Sequence, residues 1–284
     1  MKTTLSSDAM SVDIDTDGPL TIIGEKINPT GRKRLAATLK EGDLDYVVEL
    51  AVRQVEAGAD VLDINVGVPG IDEVKKMREV VSAVSSAVDV PLCIDSPNHE
   101  SVAAGLEACP GRPLVNSVNG EERSMSAILP LVKKHDAAVI GLTLDEDGIP
   151  ETAEARFAVA KKIIDRAESH GIPLESIVID PLVLTVGADS DAAKVTLETI
   201  ALLTAEYGIN INLGASNVSF GLPDRHTVNQ AFLGMAMGAG ASCAITDVAK
   251  MAPTIRAADL LRGRDPHGMR YIKYFRAHPP QDER

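Results

Sequence analysis

Apolar residues fall into two rhythms along this chain. Short runs rich in Val, Ile and Leu recur at "LTIIGE" (20–25), "DVLDINVG" (60–67), "PLCIDS" (91–96), "RPLVNSVN" (112–119), "AAVIGLT" (137–143), "SIVIDP" (176–181), "INLGASN" (211–217) and "SCAITD" (242–247). Each reads as a buried strand. Between them the spacing turns helical, as in Leu44, Val47, Val48, Ala51 and Val55, or in Phe157, Ala160, Ile163, Ile164 and Ala167. The second of these helices stops at Gly171, followed by Ile172-Pro173, a helix terminator. Strand and helix alternating eight times over roughly 250 residues predict an α/β fold, a (β/α)8 TIM barrel. An open Rossmann sheet is the competing arrangement. It calls for GxGxxG after the first strand, where this chain has Gly24-Glu25-Lys26-Ile27-Asn28.

The periodic region predicts a barrel over residues 18–263. The polar stretch 1–17, "MKTTLSSDAMSVDIDTD", is expected to be a flexible arm, and 264–284 a C-terminal extension.

Composition narrows the class. Of the 284 residues, 45% are hydrophobic but only 3% aromatic, so the core must be built from Ala, Val, Ile and Leu, as in parallel sheets covered by helices. A formal net charge of −13, with no basic stretch interleaved with aromatics, argues against nucleic acid as a partner. No apolar run approaches the roughly 20 residues that cross a bilayer, and the expectation is a cytoplasmic protein without membrane partners. Cys93, Cys109 and Cys243 are too few and too scattered for a disulfide framework or a metal knuckle, and are expected to be small core residues. With no HExxH and no Cys/His cluster, no bound metal is expected in this chain. The glycines of "FLGMAMGAGAS" (232–242) lack the GK[ST] of a phosphate loop and sit in a helical pattern, which suggests close helix packing.

In such a barrel, function resides at the C-terminal ends of the strands. Those ends carry Glu25 and Asn28, then Asp63 and Asn65, then Asp95, Ser96 and Asn98, then Asn116 and Asn119, then Thr143, Asp180, Ser216 with Asn217, and Asp247. Turn and helix-cap propensity explains Asn98, Asn119 and Asp247. It explains less well Asp95, Asn116, Asp180 and Asn217, which stand within or against the apolar runs, where a polar group needs a partner. Lys is scarce at these ends and Arg225 stands nearly alone, so a polyanion fits poorly. A flat heterocycle with several N–H donors and a carbonyl fits well. His99 and His226 follow strand ends and are expected at solvated helix starts.

Taken together, "GEKINPTGR", "VLDINVG", "CIDSPN", "VNSVNGE", "AAVIGLTLDEDGIP", "VIDPL", "GASNVSFGLPDR" and "MAMGAGASCAITD" resemble the pterin-binding family of methyltetrahydrofolate:corrinoid methyltransferases. The likeness extends from about Leu20 to Ala249 and takes in the folate module of cobalamin-dependent methionine synthase. It implies a dihydropteroate-synthase-like pterin-binding barrel that moves a methyl group between N5 of tetrahydrofolate and the cobalt of a corrinoid (cobalamin) on a partner protein. Tetrahydrofolate or methyltetrahydrofolate is then a substrate, the direction is left open, and a homodimer is implied. Asp95, Asn116 and Asp180 match the family's pterin anchors. Asn217 matches the amide that contacts N5, and Arg225 an arginine beyond it. Glu25, Asn28, Asp63, Asn119, Ser219 and Phe220 complete the expected surroundings. Phe220 resembles the methionine synthase form of its loop, and "SPN" replaces a more usual threonine-containing turn. Dihydropteroate synthase is the rival, but it carries Ser-Arg-Lys where this chain has Ala215-Ser216-Asn217. A folate-binding barrel without chemistry is the non-enzymatic alternative.

Overall fold

The computed structural model describes residues 1–279. Eight parallel strands form the central sheet: β3 (Thr21–Ile27), β4 (Val61–Ile64), β5 (Leu92–Asp95), β6 (Leu114–Asn119), β7 (Ala138–Leu142), β8 (Ile177–Asp180), β9 (Asn210–Ile211) and β10 (Cys243–Thr246). Each pairs with its sequence neighbour, and β10 pairs with β3. The ring closes between β9 and β10 through a parallel bridge at Gly214 and Ile245 and an Ile245 N–H to Leu213 carbonyl bond of 2.9 Å.

Around this ring lie α1 (Lys33–Glu41), α2 (Asp45–Glu56), α3 (Glu73–Ala87), α4 (His99–Ala108), α5 (Glu122–Lys134), α6 (Ala153–Ser169), α7 (Ala192–Tyr207), α8 (Arg225–Ala239) and α9 (Val248–Leu261). With α1 as an insertion in the first unit, α2 to α9 supply one helix after each barrel strand. In α6, Thr152 caps the start by accepting the Ala155 N–H at 3.2 Å, and Val159, Ala160, Ile163, Ile164 and Ala167 form its buried stripe. Gly171, at φ +71°, ends it, as the sequence signals.

Residues 1–17 are not a loose arm. They form an antiparallel hairpin of β1 (Lys2–Ser6) and β2 (Ser11–Asp15), in register from Lys2 opposite Asp15 to Ser6 opposite Ser11. Its inward residues Leu5 and Ile14 are fully buried and pack on Ile23, Val61, Cys93, Leu114, Val178 and Cys243 inside the barrel. The Asn210 amide donates to Thr3 Oγ1 and to the Ile14 carbonyl, each at 2.9 Å. Arg112, two residues before β6, bridges backbone to backbone with Ser6 and donates to the Thr4 carbonyl. Gly111 permits this approach, because a β-carbon there would lie 2.4 Å from the Ser6 carbonyl oxygen. Hydrophobic burial thus outweighs the polar composition of the segment.

The described part of the C-terminal extension, residues 264–279, is docked on the barrel. Asp265 accepts the backbone N–H groups of Arg270 and Tyr271 at the start of α10 (Met269–Ala277), and His278 Nε2 bonds the Glu56 carbonyl at 2.8 Å. The remainder of the expected 264–284 extension, residues 280–284, lies outside the described residues.

Candidate active site at the barrel mouth

Alternation along the strands builds the site. Side chains two apart share a face, and the inward positions are Val61 and Asp63, Cys93 and Asp95, Leu114 and Asn116, Val178 and Asp180. The first member of each pair joins the apolar floor with Leu5 and Ile14. The second forms a polar layer one step nearer the mouth. In β9 the corresponding residues are Asn210, tied to the hairpin, and Asn212.

The deep polar groups have the partners their burial demands. Asn116 Nδ2 donates to Asp63 Oδ1 at 3.2 Å, and Asn65 Nδ2 to Asp95 Oδ2 at 3.0 Å. Asn212 Nδ2 donates to Asp180 Oδ2 at 2.7 Å, while the Leu182 N–H donates to Asp180 Oδ1 at 2.9 Å. Burial, then the neighbouring Asp95 charge, pushes the Asp63 carboxyl well above its usual range. Burial likewise raises Asp95 to about 6, opposed by its bonds with Asn65 and Asp63. Two adjoining buried carboxyls resist joint ionisation. Asp180 is raised to about 6 by burial, against bonds from the Leu182 N–H, Asn212 and the Gly214 N–H and the charge of Arg156.

Above this layer opens a cavity of about 310 Å³, lined by Glu25, Asn28, Thr30, Arg32, Asp63, Asp95, Asn116, Gly214, Ser216, Asn217 and Ile245. It shares Asp95 and Asn116 with a larger cavity of about 520 Å³ that reaches His99, Ser117, Asn119, Arg123 and Leu142. On the other side it shares Glu25 and Ser216 with a third, of about 300 Å³, containing Lys26, Arg225, His226, Asp247 and Lys250. The three form one cleft across the mouth. Its volume suits a small organic ligand.

Asn217 sits in a 3₁₀ turn, Ala215–Ser219, where the sequence pattern predicted continued strand. β9 stops after two residues because Leu213 and Gly214 turn aside to bridge β10. The Asn217 N–H donates to the Gly214 carbonyl and its own carbonyl accepts from Phe220, both at 3.1 Å. The exposed side-chain amide folds over Gly214, where a β-carbon would stand 3.0 Å from Nδ2. It makes no hydrogen bond to another described residue.

Of the expected site residues, Glu25, Asn28, Asp63, Asp95, Asn116 and Asn217 meet in the central cavity. Asp180 lies beside it in the polar layer, and Asn119 lines the larger neighbour, with its Oδ1 accepting the Glu121 N–H at 3.0 Å. Arg225 is outside the central cavity. It donates from Nη2 to the Ser216 carbonyl at 2.6 Å and from Nε to Ser219 Oγ at 3.1 Å, holding the turn that carries Asn217. Ser219 is accordingly buried and turned to Arg225. Phe220 stands on the rim, 67% exposed, with the Arg225 guanidinium 5.4 Å from its ring. His99 and His226 occupy exposed helix starts, as expected.

Sequence reasoning passed over Asn212, hidden inside an apolar run. Its place two residues after Asn210, on the inward face, was the available signal. It also missed Arg32, which lines the cavity 3.7 Å from Glu25, and the two lysines that join Arg225 at one side of the rim, Lys26 and Lys250.

The family model described as pterin binding enzyme matches residues 24–247. A methylcorrinoid:tetrahydrofolate methyltransferase of Eubacterium limosum is 34% identical over 265 residues, covering 90% of this chain and 96% of that protein. Methionine synthase of Mycobacterium tuberculosis is 32% identical over 253 residues, and the chain matches 21% of its length. Among solved structures, Yersinia pestis dihydropteroate synthase with a pterine-sulfa conjugate superposes with a TM-score of 0.71 at 18% identity, over 92% of this chain and 98% of that one. Dihydropteroate synthase from Xanthomonas albilineans with 7,8-dihydropteroate gives 0.68 at 21% identity, over 92% and 98%. These two likenesses bear on the fold alone.

Proposed function

This chain belongs to the pterin-binding enzyme family, and from that membership we propose that it moves a methyl group between N5 of tetrahydrofolate and the cobalt of a corrinoid carried by a partner protein. The observation that carries this reading is the Asn217 amide, without a partner among the described residues, standing over a cavity lined by Asp95 and Asn116. The layer suits a pterin, whose N–H donors and carbonyl call for carboxylates and amides in alternation. Asp95, Asn116 and Asp180 hold the ring in this reading, with Glu25, Asn28 and Asp63 along its border and Asn119 beyond. Arg225, Ser219 and Phe220 support the turn that presents Asn217.

A methyl group on a neutral amine nitrogen leaves poorly, because an anion would have to depart. Protonation of N5 removes that obstacle. A carboxamide does not titrate usefully, but the Asn217 oxygen accepts a hydrogen bond from N5–H and favours the charged form. When methyltetrahydrofolate is the donor, the methyl carbon–N5 bond breaks with its electron pair left on N5, and the new bond draws on the electron pair of reduced cobalt. The reverse reaction passes through the same transition state. The direction proposed is corrinoid to tetrahydrofolate, following the name of the relative matched over 96% of its length.

The corrinoid protein is proposed to dock over the cleft. A homodimer is proposed through α7 and α8, which pack side by side and expose Leu202 and Met235. Gly234 and Gly238 lie in α8 where a β-carbon would meet no atom within 4 Å, so packing within the chain does not require them; of the three glycines only Gly240, where a β-carbon would lie 2.6 Å from Thr204 Oγ1 on α7, meets the sequence expectation of close packing. Gly234 and Gly238 each weaken the helix by about 1 kcal/mol relative to alanine, and a second chain lying close would offset that cost. The proposed setting is the cytosol, which keeps three free thiols reduced.

The deciding assay mixes the protein with methylcob(III)alamin and tetrahydrofolate, or with cob(I)alamin and methyltetrahydrofolate, and follows the cobalt absorption spectrum. Protein-dependent interconversion of the two spectra is expected. Unchanged spectra in both directions, together with no folate binding by titration, would sink the reading.

A further inference from the structure

The largest fully buried side chain is an arginine that the proposed chemistry does not use. Arg156, on α6, is 2% exposed, and its guanidinium meets carbonyls rather than a paired carboxylate. Nε donates to the Pro150 carbonyl at 2.9 Å, and Nη1 donates to the carbonyls of Pro181 at 2.9 Å and Leu182 at 2.8 Å. Thr196 Oγ1, on α7, donates to the same Leu182 carbonyl at 3.0 Å. Burying a cation costs several kcal/mol even with the Asp180 and Asp189 charges nearby, and an apolar side chain would fill the volume more cheaply. What the guanidinium supplies is a rigid fork of donors for irregular backbone.

That backbone directly follows Asp180. Leu182 is held at φ +60°, a conformation that side chains of its kind rarely adopt, and its N–H bonds the Asp180 carboxylate. One side of the residue is therefore fastened to Asp180 and the other to Arg156 and Thr196. The loop continues to Val186, whose N–H bonds the Val218 carbonyl at 3.0 Å in the turn that bears Asn217. We propose that Arg156 is a positioning residue for pterin binding: it clamps the Pro181 and Leu182 carbonyls so that the Asp180 carboxylate keeps the orientation in which it accepts the ring's N–H groups. The proposal rests on the pterin reading of the mouth. It assigns specificity to a side chain on an outer helix that never touches the ligand.

The test compares Arg156→Lys and Thr196→Val with the parent protein, alone and combined with Asp180→Asn, by tetrahydrofolate titration and by turnover with free methylcob(III)alamin. Arg156→Lys keeps the charge and loses the fork. It is expected to weaken tetrahydrofolate affinity about 10-fold or more, raising KM while kcat at saturating folate stays within about 2-fold. Thr196→Val, the milder change, is expected to act in the same direction and decides the matter if the lysine variant does not fold. Neither is expected to weaken binding further once Asp180 is asparagine. Unchanged affinity in folded variants, or losses that add to that of Asp180→Asn, would overturn the assignment and leave Arg156 a structural clamp. Failure of the parent protein to bind tetrahydrofolate would instead strike the function proposed above.

Discussion

Asp180 faces Asn212 and backbone N–H groups from within the barrel, and this placement sets recognition against stability. Its ordinary value of 3.8 is raised to about 6, chiefly by burial. Between those values the folded protein binds more protons than the unfolded chain. The group's stabilising contribution is therefore complete below the lower value and lost as pH rises through the upper one. Asp180→Asn abolishes this titration, so the difference in stability between variant and parent should move about 2 kcal/mol in the variant's favour from about pH 4 to about pH 8. Urea denaturation at the two pH values measures it. The same change should weaken tetrahydrofolate binding, since a charged acceptor becomes a mixed donor and acceptor. For Asn217→Ala the expected pattern is the opposite, with folate affinity nearly kept and the barrier to methyl transfer raised by about 2 to 4 kcal/mol. Equal losses in binding and turnover would argue against a role confined to the transition state. Asp95, Asp180 and Asn217 were legible because they stand within or against apolar runs. Asn212 was not, since one polar residue inside "INLG" has the look of a strand residue until its inward register is known. Lys26, the next-to-last residue of β3, was obscured by Glu25 beside it, and Arg32 follows in a loop, where there is no periodicity from which to read a direction.

The hairpin of β1 and β2 shows how a short segment can be misread by composition. Thr3 with Leu5 and Val12 with Ile14 alternate with polar neighbours, the period of a half-buried strand. Four such residues among serines, threonines and aspartates resemble a solvated tail unless the open base of a barrel supplies a surface to cover. Truncating Leu5 to alanine should cost roughly 2 to 5 kcal/mol of stability, seen as a lower Tm, with tetrahydrofolate affinity preserved because the apolar floor lies a layer below the cleft. A loss of affinity without a loss of Tm would contradict that layering. β9 was legible only as a place in the order of strands. Its run of apolar residues continues past Ile211, but Gly214 releases the chain into the turn, and the pairing that closes the ring passes to single bonds with β10. A long apolar run in sequence is compatible with either outcome.

Eight repeats of strand and helix dominate the chain, and they were legible because each strand is buried on both faces and each helix on one. Assembly between chains was not, since Leu202 and Met235 serve the same helical pattern as core residues until the helices are set in place. Met235, 59% exposed, is the most accessible large apolar side chain on α8. Replacing it with glutamate, together with Leu202→Glu, should convert a dimer to a monomer by light scattering while leaving turnover with free corrinoid intact. A parent protein already monomeric at that concentration would remove the basis for a dimer. The sealed base has a kinetic corollary. A vessel stoppered at one end by Leu5 and Ile14 offers pterin and corrinoid carrier a shared doorway, and the bulky visitor covers the smaller one. If the carrier docks as proposed, folate boards first and disembarks last, making the exchange a compulsory-order sequence in which excess carrier traps the occupant.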